Sequence, residues 1–162
     1  MARNLIDEHR RPPANDRLSL DGDWQFALDP ADRGRGQNWF ARRTFPARIR
    51  VPGSWQAQGF GGEYRHLIAQ TAHPPVQVER HGYRGTAWYA KTFYLPPGWQ
   101  GRRVWLHCGG VQPRAEFWCD GRYLGQDPGG LLEFKFDLTP HLRRAAEHCL
   151  VARVFEGAPA AV

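Results

Sequence analysis

The chain has 162 residues, of which 41% are hydrophobic and 13% aromatic, which excludes disorder and predicts one domain with a real core. Its 22 Lys and Arg against 16 Asp and Glu give a formal charge of +6; all the basic residues except Lys91 and Lys135 are Arg, scattered from Arg3 to Arg153, which speaks against a nucleic-acid partner. Met1–Leu5 carries no apolar leader core and no run has the length of a membrane span, so a soluble, cytoplasmic chain that engages no membrane is expected.

Residues 1–16 are polar, contain Pro12-Pro13 and read as a flexible arm. Asp21-Gly22-Asp23 is a turn signal, and Trp24–Leu28 alternates as a strand does. Asp29–Gln37 reads as a polar loop, and its single Arg33-Gly34-Arg35-Gly36 patch is too short to argue for RNA. Ile49–Val51 is a short strand stopped by Pro52-Gly53. From Ser54 to Gly85 no clean period appears, so this stretch reads as a long irregular loop.

The second half is more regular. Ala87–Leu95 is aromatic and β-branched, and Pro96-Pro97-Gly98 ends it. Arg103–Cys108 places Val104, Leu106 and Cys108 on one face, and the next run does the same with Ala115, Phe117 and Cys119. Asp120-Gly121 then links that run to Arg122–Gly125 in a tight hairpin. Leu132–Leu138 and Leu150–Phe155 are further strands. Thr139-Pro140 predicts a short helix over His141–Ala146, with Thr as N-cap and Pro at the first helical position. Short strands at such spacings predict an all-β antiparallel sandwich with one short helix, spanning 17–156 and followed by a tail or truncated linker at 157–162.

Cys108, Cys119 and Cys149 form no C-x-x-C and read as reduced core residues. His66, His73 and His81 share the irregular stretch without a Cys or acid at ligand spacing, so no metal and no cofactor are expected. Glu63, Glu79, Glu116 and Glu133 are scattered and read as solvated surface. The sequence has no G-x-S-x-G, P-loop or dinucleotide fingerprint.

Several motifs together resemble the N-terminal domain of family 2 glycoside hydrolases, the β-galactosidase and β-glucuronidase group. They are Leu20-Asp21-Gly22-Asp23-Trp24-Gln25-Phe26, Val51-Pro52-Gly53-Ser54-Trp55-Gln56 and Gly85–Phe93. Further along come Gly109-Gly110-Val111, Phe117-Trp118-Cys119-Asp120-Gly121, and Gly129-Gly130 with Phe134 and Phe136–Thr139. The resemblance covers about residues 17–156 and implies a jelly-roll sandwich like a galactose-binding domain. It implies a non-catalytic carbohydrate-binding role, because the family supplies both catalytic Glu residues from a (β/α)8 barrel. It also implies barrel and immunoglobulin-like domains of a parent enzyme as partners, and a β-glycoside as the ligand. A stand-alone carbohydrate-binding module and a protein-interaction module without sugar affinity are the alternatives.

The resemblance nominates three sugar contacts. Ser54 matches a position that often carries an Asn or Asp reaching the sugar. Trp55 is either a stacking platform or, the favoured reading, a buried loop anchor. Asp127 stands where the family often has a His. Asp120 replaces the usual Asn and Leu131 a common Tyr. Trp24, Trp88 and Phe117 are expected to fill an inter-sheet core, Asp137 to tie down the turn at Thr139, and Trp118 to face outward over a neighbouring domain. Trp39 and Trp99 are weaker candidates for sugar contact.

Overall fold

The computed structural model describes residues 16–68, 76–81, 83–127, 132–143 and 146–155. Ten strands follow one another: β1 (Gly22–Asp29), β2 (Ala47–Val51), β3 (Glu63–Ile68), β4 (Val76–His81), β5 (Thr86–Tyr94), β6 (Trp105–Cys108), β7 (Ala115–Cys119), β8 (Arg122–Gln126), β9 (Phe134–Asp137) and β10 (Glu147–Phe155). Six of them form an antiparallel sheet in the order β2-β1-β5-β10-β7-β8. β6 and β9 pair with each other over one face of it, and β3 pairs with β4. The result is the antiparallel β-sandwich expected.

Period-two alternation divides the core in two. One face of the six-stranded sheet carries Phe26, Tyr89, Ala152 and Phe117, which lie side by side on neighbouring strands. Val104, just before β6, and Leu106 of β6, with Phe134 and Phe136 of β9, pack against this face. The opposite face carries Ala27, Trp88, Val151 and Trp118, covered by Trp39, Phe40 and Phe45 from the segment between β1 and β2.

This division corrects two expectations. Trp24 and Phe117 do sit between the sheets, but Trp88 belongs to the opposite face. Trp118 does not face outward: it is buried, stacked on Phe40 at 5.6 Å and against Trp88 at 5.5 Å. The cause is the same in both cases. The six-stranded sheet is covered on both faces, so alternation separates the side chains without leaving one set in water.

Three local expectations also change. The stretch expected to be irregular contains the β3–β4 ribbon, with Glu63 opposite His81 and Ile68 opposite Val76. Of the helix expected at His141–Ala146, residues 144 and 145 lie outside the described residues; the rest shows a single 3-10 turn at Thr139–His141, and Leu142 is already extended at φ −94° and ψ 138°. Thr139 is not its N-cap. The Thr139 hydroxyl accepts the Val104 N–H at 2.9 Å and ties the turn to the start of β6. Asp137 Oδ1 accepts the Thr139 N–H at 2.9 Å, the role expected of it. Asp120 and Gly121 both have positive φ, 48° and 77°, as the tight hairpin requires.

Candidate functional site

A trough of about 2320 Å³ lies between the six-stranded sheet and the β6–β9 pair. Trp24, Tyr89, Phe93 and Leu150 form its floor, Leu106 one wall, and Ser54 and Trp55 the rim beyond β2. Among the described residues, two strands face six there. The inner side chains are apolar, while Arg102, His107 and Glu133 stand at its edge.

The three nominated sugar contacts do not converge. Ser54 and Trp55 follow β2 at one edge of the six-stranded sheet, and Asp127 follows β8 at the other. Five strand spacings separate these edges, about 24 Å. Ser54 is exposed, and its Oγ accepts the Ala57 N–H at 3.2 Å. Trp55 is 5% exposed and packs edge-on against Tyr83 at 6.0 Å. Its ring is an anchor, and its Nε1 has no hydrogen-bond partner among the described residues. Asp127 is equally buried; its N–H donates to Ala115 O at 2.9 Å, and Oδ1 is left unpaired among the described residues. Glu63, Glu79, His66 and His81 lie on the β3–β4 ribbon; their side chains, with His73, Gly129-Gly130 and Leu131, fall outside the described set.

The face away from the trough holds a polar cluster that sequence reasoning misses. Glu116 reads as surface, yet it is buried on β7 and bonded to Arg153 Nη1 at 2.8 Å. These two residues are direct cross-strand neighbours. Arg153 Nη2 also reaches both oxygens of Asp32 at 2.8 Å, and Arg35 binds the other Glu116 oxygen at 3.0 Å. Asp29 accepts from the Arg33 and Gly34 amides and from Trp88 Nε1, at 3.0, 2.7 and 2.9 Å. A Cβ on Gly34 would stand 2.5 Å from Trp88 Nε1, so glycine is needed there. The Arg33–Gly36 patch is thus a pinned structural turn. In these acids the carboxylate oxygens are committed to holding the sheet.

Cys119, Asp120 and His148 bring their side-chain ligand atoms within 4.8 Å of one another. His148 Nδ1 lies 2.7 Å from Asp120 Oδ2, and His148 Nε2 meets the Arg143 backbone N–H and carbonyl at 3.2 and 3.0 Å. Asp120 Oδ1 accepts the Cys149 N–H at 2.9 Å. Burial pushes the Asp120 carboxyl up, but the His148 and Cys149 hydrogen bonds and the charges of His148 and Arg43 outweigh it and hold it below the usual carboxylate range. Burial raises the Cys108 and Cys119 thiols to about 12 and Cys149 to about 11. All three remain thiols at neutral pH, which makes them poor nucleophiles and poor metal ligands. The cluster is a lock on the β7–β8 turn.

Comparison with known proteins agrees with this geometry. The family model for glycosyl hydrolases family 2, sugar binding domain, matches residues 18–162. The chain belongs to this family. A β-glucuronidase from Formosa agariphila is 38% identical over 83 residues, which is 51% of this chain and 8% of that protein. The family 2 domain is also similar to solved β-glucuronidase structures from Ruminococcus gnavus. One matches with a TM-score of 0.67 at 25% identity, and the complex with uronic deoxynojirimycin with 0.68 at 28%. Both comparisons cover 85% of this chain and 21% of the relative. The chain therefore spans less than a quarter of the length of these relatives.

A surface aromatic also escaped the nominations. The expected inward face of β6, carrying Val104 and Leu106, turns Trp105 outward, and in this family 2 domain Trp105 is 49% exposed. The alternation that placed its neighbours was the signal that could have found it.

Proposed function

We propose that this domain is a non-catalytic, carbohydrate-binding-like sandwich of a larger glycoside hydrolase that acts on β-glycosides, of the β-glucuronidase type. Its work is to support and complete the sugar pocket of a barrel carried elsewhere in the longer polypeptide. The observation that carries this reading is the family match over 18–162, and the relatives' greater length agrees with it. The trough adds a physical reason: an apolar floor faced by two strands has room for further polypeptide of the parent enzyme. Barrel and immunoglobulin-like domains are the partners this reading implies.

Ser54 is the rim contact we assign to the barrel's sugar, since it is exposed at the end of the loop after β2. Trp55 acts beneath it as the anchor of that loop. Asp127, on the far side of the sheet, holds the β8 end instead of meeting the same sugar.

The test is an assay with chromogenic β-glucuronide and β-galactoside. The purified chain is expected to release no chromophore, because hydrolysis needs two carboxylates facing one glycosidic bond. A family 2 barrel expressed in one polypeptide with this domain is expected to hydrolyse the glycoside and to lose stability when the domain is deleted. Sugar release by the 162-residue chain alone overturns the proposal.

A further inference from the structure

Of the seven tryptophans, Trp24, Trp55, Trp88 and Trp118 are buried and Trp39 and Trp99 are half-buried. Trp105 alone is exposed. It sits on the outer face of the β6–β9 pair, whose inner face holds Val104 and Leu106 with Phe134 and Phe136. The rest of that outer face is polar. Asp137 is directly opposite Trp105, and Lys135 is opposite His107. The Arg103 guanidinium lies 5.9 Å from the Trp105 ring centroid, and His107 Nε2 pairs with Glu133 Oε2 at 3.1 Å. A large apolar ring is thus framed by charged groups of both signs, with Arg103 over the ring and Asp137 and Lys135 on the paired strand.

We propose that this outer face is a carbohydrate-binding surface, on which a β-configured pyranose stacks over Trp105 while Asp137 and Arg103 take its hydroxyls. The inference rests on the sugar-binding reading given above and adds Trp105, with Arg103, His107 and Lys135, as a contact surface on the β6–β9 side of the cavity whose rim Ser54 occupies. The chemistry of the ligand follows from that of the frame. A pyranose with equatorial hydroxyls presents an apolar face of axial C–H bonds and a polar rim, which matches an indole with a polar surround. Arg103 and Lys135 also suit a uronate carboxylate. A protein partner fits less well, because a stable interface buries about 800 Å² on each side, and a single indole among charged groups offers far less apolar area than that needs. Trp55 cannot serve as this platform, because its ring is covered.

The experiment is a nitrogen–proton NMR titration of the whole chain with methyl β-D-glucopyranoside and methyl β-D-glucuronide. The Trp105 indole N–H signal, assigned by its loss in Trp105→Ala, is expected to shift with weak, saturable binding. Trp105→Ala is expected to weaken binding about tenfold or more, equivalent to about 1.4 kcal/mol, and Trp105→Tyr to retain most of it. Unchanged Trp24 and Trp88 indole signals would show that each variant is folded. Shifts that persist in Trp105→Ala place the sugar elsewhere and overturn this inference alone. No shift at any residue with either sugar also overturns it, while the pocket-completing role at the Ser54 rim, which needs the barrel, stands or falls with the hydrolysis assay. A stronger response to the glucuronide that fades with salt would assign the carboxylate to Arg103 and Lys135.

Discussion

On one face of the six-stranded sheet, Trp88, Trp118 and Val151 are sealed by Trp39, Phe40 and Phe45. On the other, Trp24, Tyr89 and Phe93 look across the trough at two strands. The sealed face also holds charge, buried at Asp29, Glu116 and Arg153 and reaching solvent at Asp32. Glu116, Arg153, Asp32 and Asp29 pair with one another or with buried N–H groups there, and Arg153 Nε is the one atom of that cluster left unpaired among the described residues. The difference teaches where stability resides and where association does. Both faces bury their apolar side chains, but one also satisfies its own charged groups, whereas the other keeps space beside its apolar floor in which further polypeptide can pack.

The largest expected effect comes from breaking the sealed face at its centre. Arg153→Met leaves the buried Glu116 without its cross-strand partner, with only the exposed Arg35 still paired to it, and leaves Asp32 with only the Thr86 hydroxyl. Removing one member of a buried ion pair costs about 3–5 kcal/mol, read as a lower urea midpoint at unchanged slope. A loss below about 1 kcal/mol would mean that the cluster is wetter than its burial indicates, and the contrast between the faces would weaken.

The comparison sharpens with two neighbours on β10. Val151 points to the sealed face and Val154 to the trough. Truncation of Val151 to Ala removes two methyl groups from a filled space and is expected to cost about 2 kcal/mol. The same change at Val154, beside existing space, is expected to cost about half as much. When a covering partner binds, the Val154 penalty should rise towards that of Val151. Equal costs in the isolated chain would show that the trough is not open in solution.

These contrasts also mark how far the sequence could be read. The strands were legible where a buried face imposes alternation, as at Val104 and Leu106, and the β7–β8 turn where Asp-Gly is one of the few pairs that suit two positive φ angles. The β3–β4 ribbon was not, because its two strands pair only with each other and no larger sheet imposes a pattern on them. Glu116 was misread for another reason: its partner Arg153 is 37 residues away, and nothing local announces such a pair. At the candidate site, the family motifs nominated the loop at Ser54 and Trp55. They grouped those residues with Asp127, because order along a chain does not report which edge of a sheet a residue occupies.

A smaller effect is expected at the lock on the β7–β8 turn. Asp120→Asn keeps a residue suited to positive φ but removes the charge facing His148 and Arg43. The expected cost is about 1–2 kcal/mol at neutral pH. The sign of the pH dependence follows from the lowered carboxyl. Its stabilisation is complete above the ordinary carboxylate range, near 4, and is lost as pH falls through that range and below it. The variant should therefore converge with the wild type in acid, by thermal melts taken between neutral pH and pH of about 2. A gap that stays constant with pH would assign the loss to packing.

The smallest effect is expected on the trough side, and it separates the two meanings of Trp55. If the ring is an anchor, Trp55→Phe keeps its edge-on contact with Tyr83 and removes an Nε1 donor that is unpaired among the described residues. Lost indole area and the relieved unpaired donor then offset each other, for a net change within about 1 kcal/mol. The isolated chain's response to sugar should not change, because a covered ring offers no stacking surface. In a parent enzyme the result becomes more telling. The loop held by Trp55 carries Ser54, so loosening the anchor should raise KM by displacing the rim while leaving kcat nearly unchanged. A fall in kcat of similar size would instead mean that Trp55 itself reaches the reacting sugar when the trough is covered, and that covering rearranges the rim rather than closing it.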